Sequence, residues 1–154
     1  MHPNNPSLKT LSIIHLALCS GVFIFGFIMF SKIKSTEIIL DDSTDVFKYI
    51  IPSAAIIAIF LSNFLFKNQL NSIPENAELK EKLVKYQSAS IVKYVVLEGA
   101  ALFSIVIYNL TSNFLYLLIA SGMLLYLISQ RPTSSKIISD LELKGNEKQD
   151  FEKQ

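Results

Sequence analysis

Four long apolar segments, separated by short polar ones, dominate the pattern of the chain. They cover residues 11–30, 47–66, 89–108 and 114–130 and contain few charged residues. An α-helix rises about 1.5 Å per residue, so about 20 apolar residues cross the hydrocarbon core of a bilayer. Backbone N–H and C=O groups must be satisfied internally in lipid, so each segment is expected to be a helix. The pattern predicts an all-α membrane protein in which residues 1–131 form a bundle of four transmembrane helices.

The third helix is predicted to begin well before its membrane part. Ser72-Ile-Pro-Glu75 fits a capping box, in which Ser and Glu side chains satisfy free backbone N–H groups at a helix start. Apolar residues then recur at the three-to-four-residue spacing of one helix face. We therefore predict one helix over residues 75–108, of which only residues 89–108 lie in the membrane.

The C-terminal segment, residues 132–154, is predicted to be a cytoplasmic tail. Pro132 cannot continue the fourth helix, because proline lacks a backbone N–H and clashes with the preceding turn. Ile137 and Leu141 share one helix face and predict a short amphipathic segment. From Gly145 onwards the residues are almost all polar or charged, a composition typical of disordered chain ends. We therefore expect this last part to be disordered.

Charged residues are scarce. They make up 18% of the chain, while 51% of the residues are hydrophobic; a soluble domain carries about 25% charged residues. The formal net charge is only +1, so nothing indicates nucleic acid as a partner. The partner that this composition does predict is the lipid bilayer.

The distribution of lysine and arginine predicts the orientation, because these residues concentrate in cytoplasmic loops. If both termini are cytoplasmic, seven such residues near the span ends lie inside and three lie outside. The inner set is Lys9, Lys67, Lys80, Lys82, Lys85, Arg131 and Lys136, and the outer set is Lys32, Lys34 and Lys48. We therefore predict a multi-pass protein of the plasma membrane with both termini in the cytoplasm.

The two halves of the chain show a weak internal similarity. Shifting the first span by 78 residues pairs Gly21 with Gly99, and the second span can likewise be laid over the fourth. The similarity is compatible with two parallel hairpin repeats, related by an axis along the membrane normal. Such a duplication would place Glu98 opposite Ser20.

Glu98 is the most unusual residue of the sequence, because it lies near the middle of a predicted membrane span. An ionised carboxylate at that depth costs about 3 kcal/mol on insertion scales. The other polar residues singled out within the spans are His15, Ser20, Asn63 and Tyr94, and most of them fall in the half of the membrane next to the termini. These five residues form the candidate intramembrane polar site.

Two interpretations of Glu98 remain open. In the first, a neutral Glu98 is hydrogen-bonded to Ser20, His15 or a backbone carbonyl and stabilises the bundle. In the second, Glu98 stands at the apex of a cytoplasm-facing polar cavity, with His15 as its partner, and loads and releases protons. The first interpretation requires fewer assumptions.

The chain shows no pattern for a metal, cofactor or catalytic site. His2 and His15 are its only histidines and Cys19 is its only cysteine, so neither a Cys/His metal site nor an internal disulfide is predicted. No glycine-rich phosphate-binding loop and no Ser/His/Asp set occurs. We therefore predict that the protein is not an enzyme and uses no cofactor.

Three short stretches resemble small four-span bacterial inner-membrane proteins of unknown function: Glu98-Gly-Ala-Ala-Leu-Phe103, Tyr108-Asn-Leu-Thr111 and Arg131-Pro-Thr133. The resemblance implies a bacterial inner membrane and no mechanism. A single membrane Glu also occurs in the proteolipid subunits of rotary ATPases, but their carboxylate lies on the second helix of a hairpin and Glu98 lies on the first, so this similarity is superficial. We predict a small accessory or structural membrane protein, as a homo-oligomer or within a larger complex. The alternative is a proton- or ion-coupled carrier or channel component that uses Glu98.

Overall fold

Six α-helices make up the regular structure of the computed structural model, which describes residues 6–40, 44–74 and 76–153. In chain order they are α1 (Pro6–Ile33), α2 (Phe47–Asn71), α3 (Leu79–Thr111), α4 (Phe114–Ser129), α5 (Ser134–Asp140) and α6 (Gly145–Lys153). Within those described ranges the chain forms no β-strand. The predicted all-α architecture is thereby confirmed.

The first three helices are each long and apolar enough to cross a membrane. Helix α4 has only 16 residues, and it passes the same test only together with α5, from which it is bent by 80°. Large apolar side chains also cover the outside of the bundle, and Phe60 on α2, for example, is 73% exposed. Lipid solvates such a surface, whereas a soluble protein would bury it. The chain is therefore a multi-pass membrane protein with three or four spans.

The predicted spans agree with the observed helices to within a few residues. The windows 11–30, 47–66 and 89–108 lie inside α1, α2 and α3, and the window 114–130 ends one residue after α4. Helices α1, α2 and α3 are longer than their windows because their polar ends continue past the apolar residues. Hydropathy locates the membrane part of a helix and leaves its ends undetermined.

Helix α3 lies at the centre of the bundle and packs against α1, α2 and α4. Its buried face combines the small residues Ala89, Ala101 and Ser104 with larger ones such as Leu97 and Ile105. Small side chains let the backbones of membrane helices approach each other closely. This face explains how one helix can contact three neighbours.

The packing of the two halves differs from that of a simple duplication. Parallel hairpin repeats would pack α1 against α2 as α3 packs against α4. Instead, α3 and α4 pack closely, while α1 and α2 hardly meet. The connections differ too, because residues 112–113 join α3 to α4 and residues 34–46 join α1 to α2. The weak similarity in sequence is not matched by equivalent packing.

Asn113 organises the end of the bundle at which α3 turns into α4, here termed the hairpin end. Ser112 ends α3 in the left-handed conformation, with φ of 57°. The Asn113 side chain then accepts a hydrogen bond from the Leu115 N–H at 3.1 Å and caps α4. It also accepts from the Ile39 N–H at 3.2 Å and donates to the Ile39 carbonyl at 2.7 Å. One amide group therefore holds the segment after α1 against the α3–α4 turn.

The opposite end, termed the tail end, contains the connection between α2 and α3. Helix α3 begins at Leu79, a few residues later than predicted. Ser72 does not cap α3 but lies at the end of α2, where its hydroxyl donates to the Gln69 carbonyl at 2.7 Å. Glu75, the other half of the predicted capping box, lies outside the described residues. Ser72 therefore serves the preceding helix, a choice that the spacing of the motif does not reveal.

The prediction of a disordered end after Gly145 is wrong, because Gly145–Lys153 forms α6. Phe151 is fully buried, at 0% exposure, within the hydrophobic core. Lys82 of α3 is also buried and forms an ion pair of 2.7 Å with Glu147. One aromatic side chain and one charge pair thus dock a segment whose overall composition is polar.

Candidate functional site

A polar cavity lies at the tail end between α2, α3, α4 and α5, and is termed the tail-end cavity. Its volume is about 440 Å³. The polar side chains that line it are Asn63, Lys67, Asn71, Tyr86, Ser90, Lys93, Tyr94, Gln130, Lys136 and Asp140. Two of the five candidate residues, Asn63 and Tyr94, are therefore part of this cavity.

Regular helix spacing brings the polar side chains of α3 to the cavity. Tyr86, Ser90 and Tyr94 follow each other at intervals of four residues, so they lie on one face of the helix, and all three are buried. The neighbouring Lys93 places its Nζ over the ring of Phe66, 5.0 Å from the ring centroid. This contact is a cation–π interaction that holds the ammonium group in the wall of the cavity.

The C-terminal carbonyl groups of α4 accept hydrogen bonds from side chains of two neighbouring membrane helices. His15 of α1 donates from Nε2 to the Leu127 carbonyl at 2.8 Å. The Tyr94 hydroxyl of α3 donates to the Gln130 carbonyl at 3.2 Å. Carbonyl groups in the last turn of a helix lack partners within it, and an apolar environment makes that lack costly. The Leu127 carbonyl also accepts from the Gln130 N–H at 2.9 Å. His15 therefore adds a second donor to that carbonyl, and Tyr94 supplies a donor to the Gln130 carbonyl inside the bundle.

Lys136 extends this capping from the aqueous side of the same helix end. Its Nζ donates to the Ser129 carbonyl at 3.0 Å and to the Arg131 carbonyl at 3.3 Å. A positive charge at the C-terminus of a helix is also favoured by the helix dipole. The bend between α4 and α5 is thus fixed by a side chain of α5 that folds back onto α4.

His15 lies next to Tyr94 as well as next to α4. The two rings meet edge to face, with 4.8 Å between centroids and an interplanar angle of 71°. The Cys19 Sγ, one turn further along α1, is 3.9 Å from His15 Nδ1. His15 is only 6% exposed. These contacts make His15 a packing and hydrogen-bonding residue between α1, α3 and α4.

Asn63 connects α2 to α4 at the cavity. Its Nδ2 donates to the Tyr126 hydroxyl at 3.0 Å and to the Ile59 carbonyl at 2.8 Å. The amide is half-buried, so part of it still faces the cavity. Asn63 therefore combines an interhelical bond with a position on the cavity wall.

The charges that line the cavity are predominantly positive. Lys67, Lys93 and Lys136 stand against the single carboxylate of Asp140. That carboxylate accepts a hydrogen bond from the Tyr86 hydroxyl at 3.1 Å. Among the residues that the structure describes, none of the three lysines forms an ion pair. The cavity is therefore suited to an anion.

Glu98 lies outside the cavity, on the side of α3 that faces α1. Its Oε1 is 3.7 Å from the position that a Cβ would take on Gly21. The side chain is half-buried, and within the described ranges its carboxylate has no hydrogen-bond or ion-pair partner. Glu98 is thus an unpartnered carboxyl group near the middle of the bundle.

Ser20 is exposed and makes no described contact with Glu98. It lines a shallow groove between α1 and α4, together with Cys19 and Phe23 of α1 and Leu124 of α4. The neighbouring Gly21 is the residue of α1 that approaches Glu98. The hydrogen bond from Glu98 to Ser20 that one interpretation of the sequence predicted is therefore not among the described contacts.

The structure thus divides the candidate residues into two places. His15, Tyr94 and Asn63 converge on the tail-end half of α4, whereas Glu98 and Ser20 lie apart from them. The cavity predicted from the sequence has Glu98 at its apex and His15 as its partner, whereas the tail-end cavity has neither among its lining residues. The lysines were not singled out from the sequence as a group, although the spacing of Tyr86, Ser90 and Tyr94 marks the polar face of α3.

The side chains at these places make hydrogen bonds, a ring contact and a cation–π contact. Among the described residues no cluster of His, Cys, Asp and Glu has the arrangement to hold a metal ion. Comparison with protein-family models, with curated proteins and with solved structures gives no match. Two features stand out among these groups: the Glu98 carboxyl, which has no partner in the described part of the chain, and the lysine-lined cavity.

Proposed function

We propose that this chain is a small accessory protein of the bacterial inner membrane that binds a transmembrane helix of another protein. The observation that carries the proposal is the Glu98 carboxyl, half-buried at mid-bundle with no partner among the described residues. The surface around it, termed the Glu98 face, consists of Val95, Glu98 and Gly99 of α3 and Gly21 of α1. This face is the site of the proposed contact.

A carboxyl group that faces lipid lacks hydrogen-bond partners. A charged carboxylate near the bilayer centre costs about 3 kcal/mol on insertion scales, and a neutral one still leaves its polar atoms unsatisfied. A hydrogen-bond donor or a cationic side chain on a neighbouring helix removes this cost. The partner is therefore expected to carry such a group in the middle of its span.

The shape of the Glu98 face supports close approach of a helix. Gly21, Val95 and Gly99 are all exposed, and a Cβ on Gly99 would meet nothing within 4 Å. Exposed glycines let the backbone of a second helix come close, as in other membrane helix pairs. The carboxyl supplies the specificity and the glycines supply the space.

The orientation proposed with this function has both termini in the cytoplasm. The lysines of the tail-end cavity then lie on the cytoplasmic side, in agreement with the excess of lysine and arginine at that end of the bundle. A cysteine introduced at Lys148, in an otherwise cysteine-free Cys19→Ala chain, should react with a membrane-impermeant maleimide only after the cells are opened. Reaction in intact cells would overturn the orientation.

Site-specific photocrosslinking tests the proposed contact. A benzophenone amino acid is introduced in place of Val95 on the Glu98 face and, as a control at similar depth, in place of Ile57, which is 61% exposed on α2. We expect a discrete protein adduct from position 95, weakened by Glu98→Ala, and only lipid adducts from position 57. Equal adducts at both positions, or adducts that do not respond to Glu98→Ala, would overturn the proposal.

A second candidate function is a proton- or ion-coupled carrier component. The observation in its favour is that Tyr94, which lines the tail-end cavity, lies four residues before Glu98 on the same helix. Only about one helical turn therefore separates the cavity wall from the carboxyl along α3. The labelling experiment described in the Discussion distinguishes a cycling carboxyl from one that is covered by a partner helix.

A further inference from the structure

The three lysines of the tail-end cavity form an arrangement that the Glu98 face does not explain. Lys67 comes from the C-terminal half of α2, Lys93 from α3 and Lys136 from α5, so three separate elements bring their ammonium groups to one cavity. Lys136 and Lys67 are both close enough to Lys93 to repel its charge, and Asp140 offsets part of that repulsion. Like charges held together in this way destabilise the protein unless an anion lies between them.

The internal partners of these lysines compensate only part of the positive charge. Lys136 donates to backbone carbonyls, and Lys93 lies over an aromatic ring. The one carboxylate of the cavity, Asp140, is bonded to the Tyr86 hydroxyl. In the described part of the chain no ion pair neutralises Lys67, Lys93 or Lys136. The lining thus offers two more positive than negative charges.

The neutral groups of the cavity complement such an anion. Asn71 and Gln130 line it and carry side-chain amides that can donate hydrogen bonds, and Phe66 and Leu70 supply an apolar margin. The cavity volume of about 440 Å³ is large enough for a phosphate group with part of its ester substituent. A phosphate brings up to two negative charges and several acceptor oxygens, and lysine is a common phosphate ligand in proteins.

The cavity also lies at the depth at which lipid headgroups meet the bundle. Lys67 directly follows the apolar window 47–66, and Lys93 lies one turn inside the window 89–108. Basic pockets between membrane helices at this level bind the headgroups of anionic lipids. A soluble phosphate compound could reach the same groups from the aqueous side.

We propose that the tail-end cavity binds the phosphate group of an anionic phospholipid headgroup or of a soluble phosphate ester, held by Lys67, Lys93 and Lys136. This site is independent of the Glu98 face, since the two share no residue. Phosphate binding at the cavity can therefore be tested separately from the proposed helix partner.

Thermal unfolding of the purified full chain in detergent tests the site with two sets of probes. The lipid arm compares added phosphatidylglycerol with phosphatidylcholine, and the soluble arm compares glycerol 3-phosphate with sodium chloride at equal ionic strength. We expect stabilisation by phosphatidylglycerol, by glycerol 3-phosphate, or by both. Stabilisation in the first arm alone identifies a lipid headgroup, and stabilisation in the second identifies a soluble ester.

Charge-removing variants locate the binding. Lys67 is exposed and Lys93 is half-buried, so at least the Lys67→Gln variant should fold normally. Each should weaken the apparent affinity about tenfold, the effect of removing one charge-assisted hydrogen bond. The matched control is Lys85→Gln, also on α3 but outside the cavity. No stabilisation in either arm, or an equal loss in Lys85→Gln, would overturn the proposal.

Discussion

His15 and Leu127 are joined by a hydrogen bond of 2.8 Å between the imidazole Nε2 and the main-chain carbonyl. Because a carbonyl only accepts, the proton of this bond belongs to Nε2. The bond links α1 to the last turn of α4 in a place where His15 is 6% exposed. His15, a lone histidine in an apolar stretch of sequence, therefore stabilises the packing of α1 against α4.

Replacing His15 with phenylalanine should destabilise the bundle by about 1 kcal/mol, because the Leu127 carbonyl loses its side-chain donor in a buried place. Phenylalanine keeps an aromatic ring beside Tyr94, so the loss can be assigned to the hydrogen bond. The measurement is the apparent melting temperature in detergent, followed by circular dichroism. His15→Gln retains a side-chain N–H, so its melting temperature should lie between those of the wild type and His15→Phe. A His15→Phe variant that melts at the wild-type temperature would contradict the assignment.

Glu98 should react with a hydrophobic carbodiimide in the purified protein, because its half-buried carboxyl has no described partner. The adduct can be located by mass spectrometry, and Glu98→Gln should abolish it. If a partner helix covers the Glu98 face, the reaction should be slower in native membranes than after purification. A carrier would show the opposite: fast labelling in native membranes with a rate that changes with pH. Absence of labelling in the purified protein would show that the carboxyl is already paired.

The membrane helices could be predicted because each consists of consecutive apolar residues that all lie in the same apolar solvent. The apolar window 47–66 indicates a membrane helix because its residues share one environment, and α2 contains it. Phe151 shows the limit of such patterns, since a single apolar residue in a polar segment gives no hint of its buried site. Ser72 shows another, because its hydroxyl can serve the helix before it or the helix after it.

The candidate site could be predicted only in part, because the sequence gives the depth of each residue and not the direction in which its side chain points. The sequence places Tyr94 and Asn63 at the correct end of the bundle, because depth in the membrane follows from position along a helix. It does not show how the helices are rotated about their axes, and rotation decides which polar groups meet. Glu98 and His15 therefore appear as partners by depth, although His15 faces α4 and Glu98 faces Gly21.

Phe151→Ala should release α6 from the bundle, because a fully buried aromatic anchor is lost from a helix that is otherwise polar. Truncation of a buried phenylalanine costs about 3 kcal/mol or more, which a nine-residue helix cannot recover from its own hydrogen bonds. Limited proteolysis should then cleave between α5 and α6, while the melting temperature of the membrane helices changes little. Glu152→Ala, which removes only an exposed pair with Lys148, is the control and should remain resistant.

Asn113→Ala should loosen the hairpin end, because one side chain makes three hydrogen bonds there. It caps α4 through the Leu115 N–H and holds both main-chain groups of Ile39, and it is only 2% exposed. Loss of the cap alone costs about 1 kcal/mol, and both main-chain groups of Ile39 lose a part-buried hydrogen bond as well. We expect faster amide hydrogen exchange in residues 35–40 and at the start of α4, together with a lower melting temperature. Asn109→Ala, in the last turns of α3, has no such bonds among the described residues and serves as the control. If exchange in residues 35–40 were unchanged in Asn113→Ala, the segment after α1 would be held by other contacts, such as the bond from the Tyr108 hydroxyl to the Ser35 carbonyl.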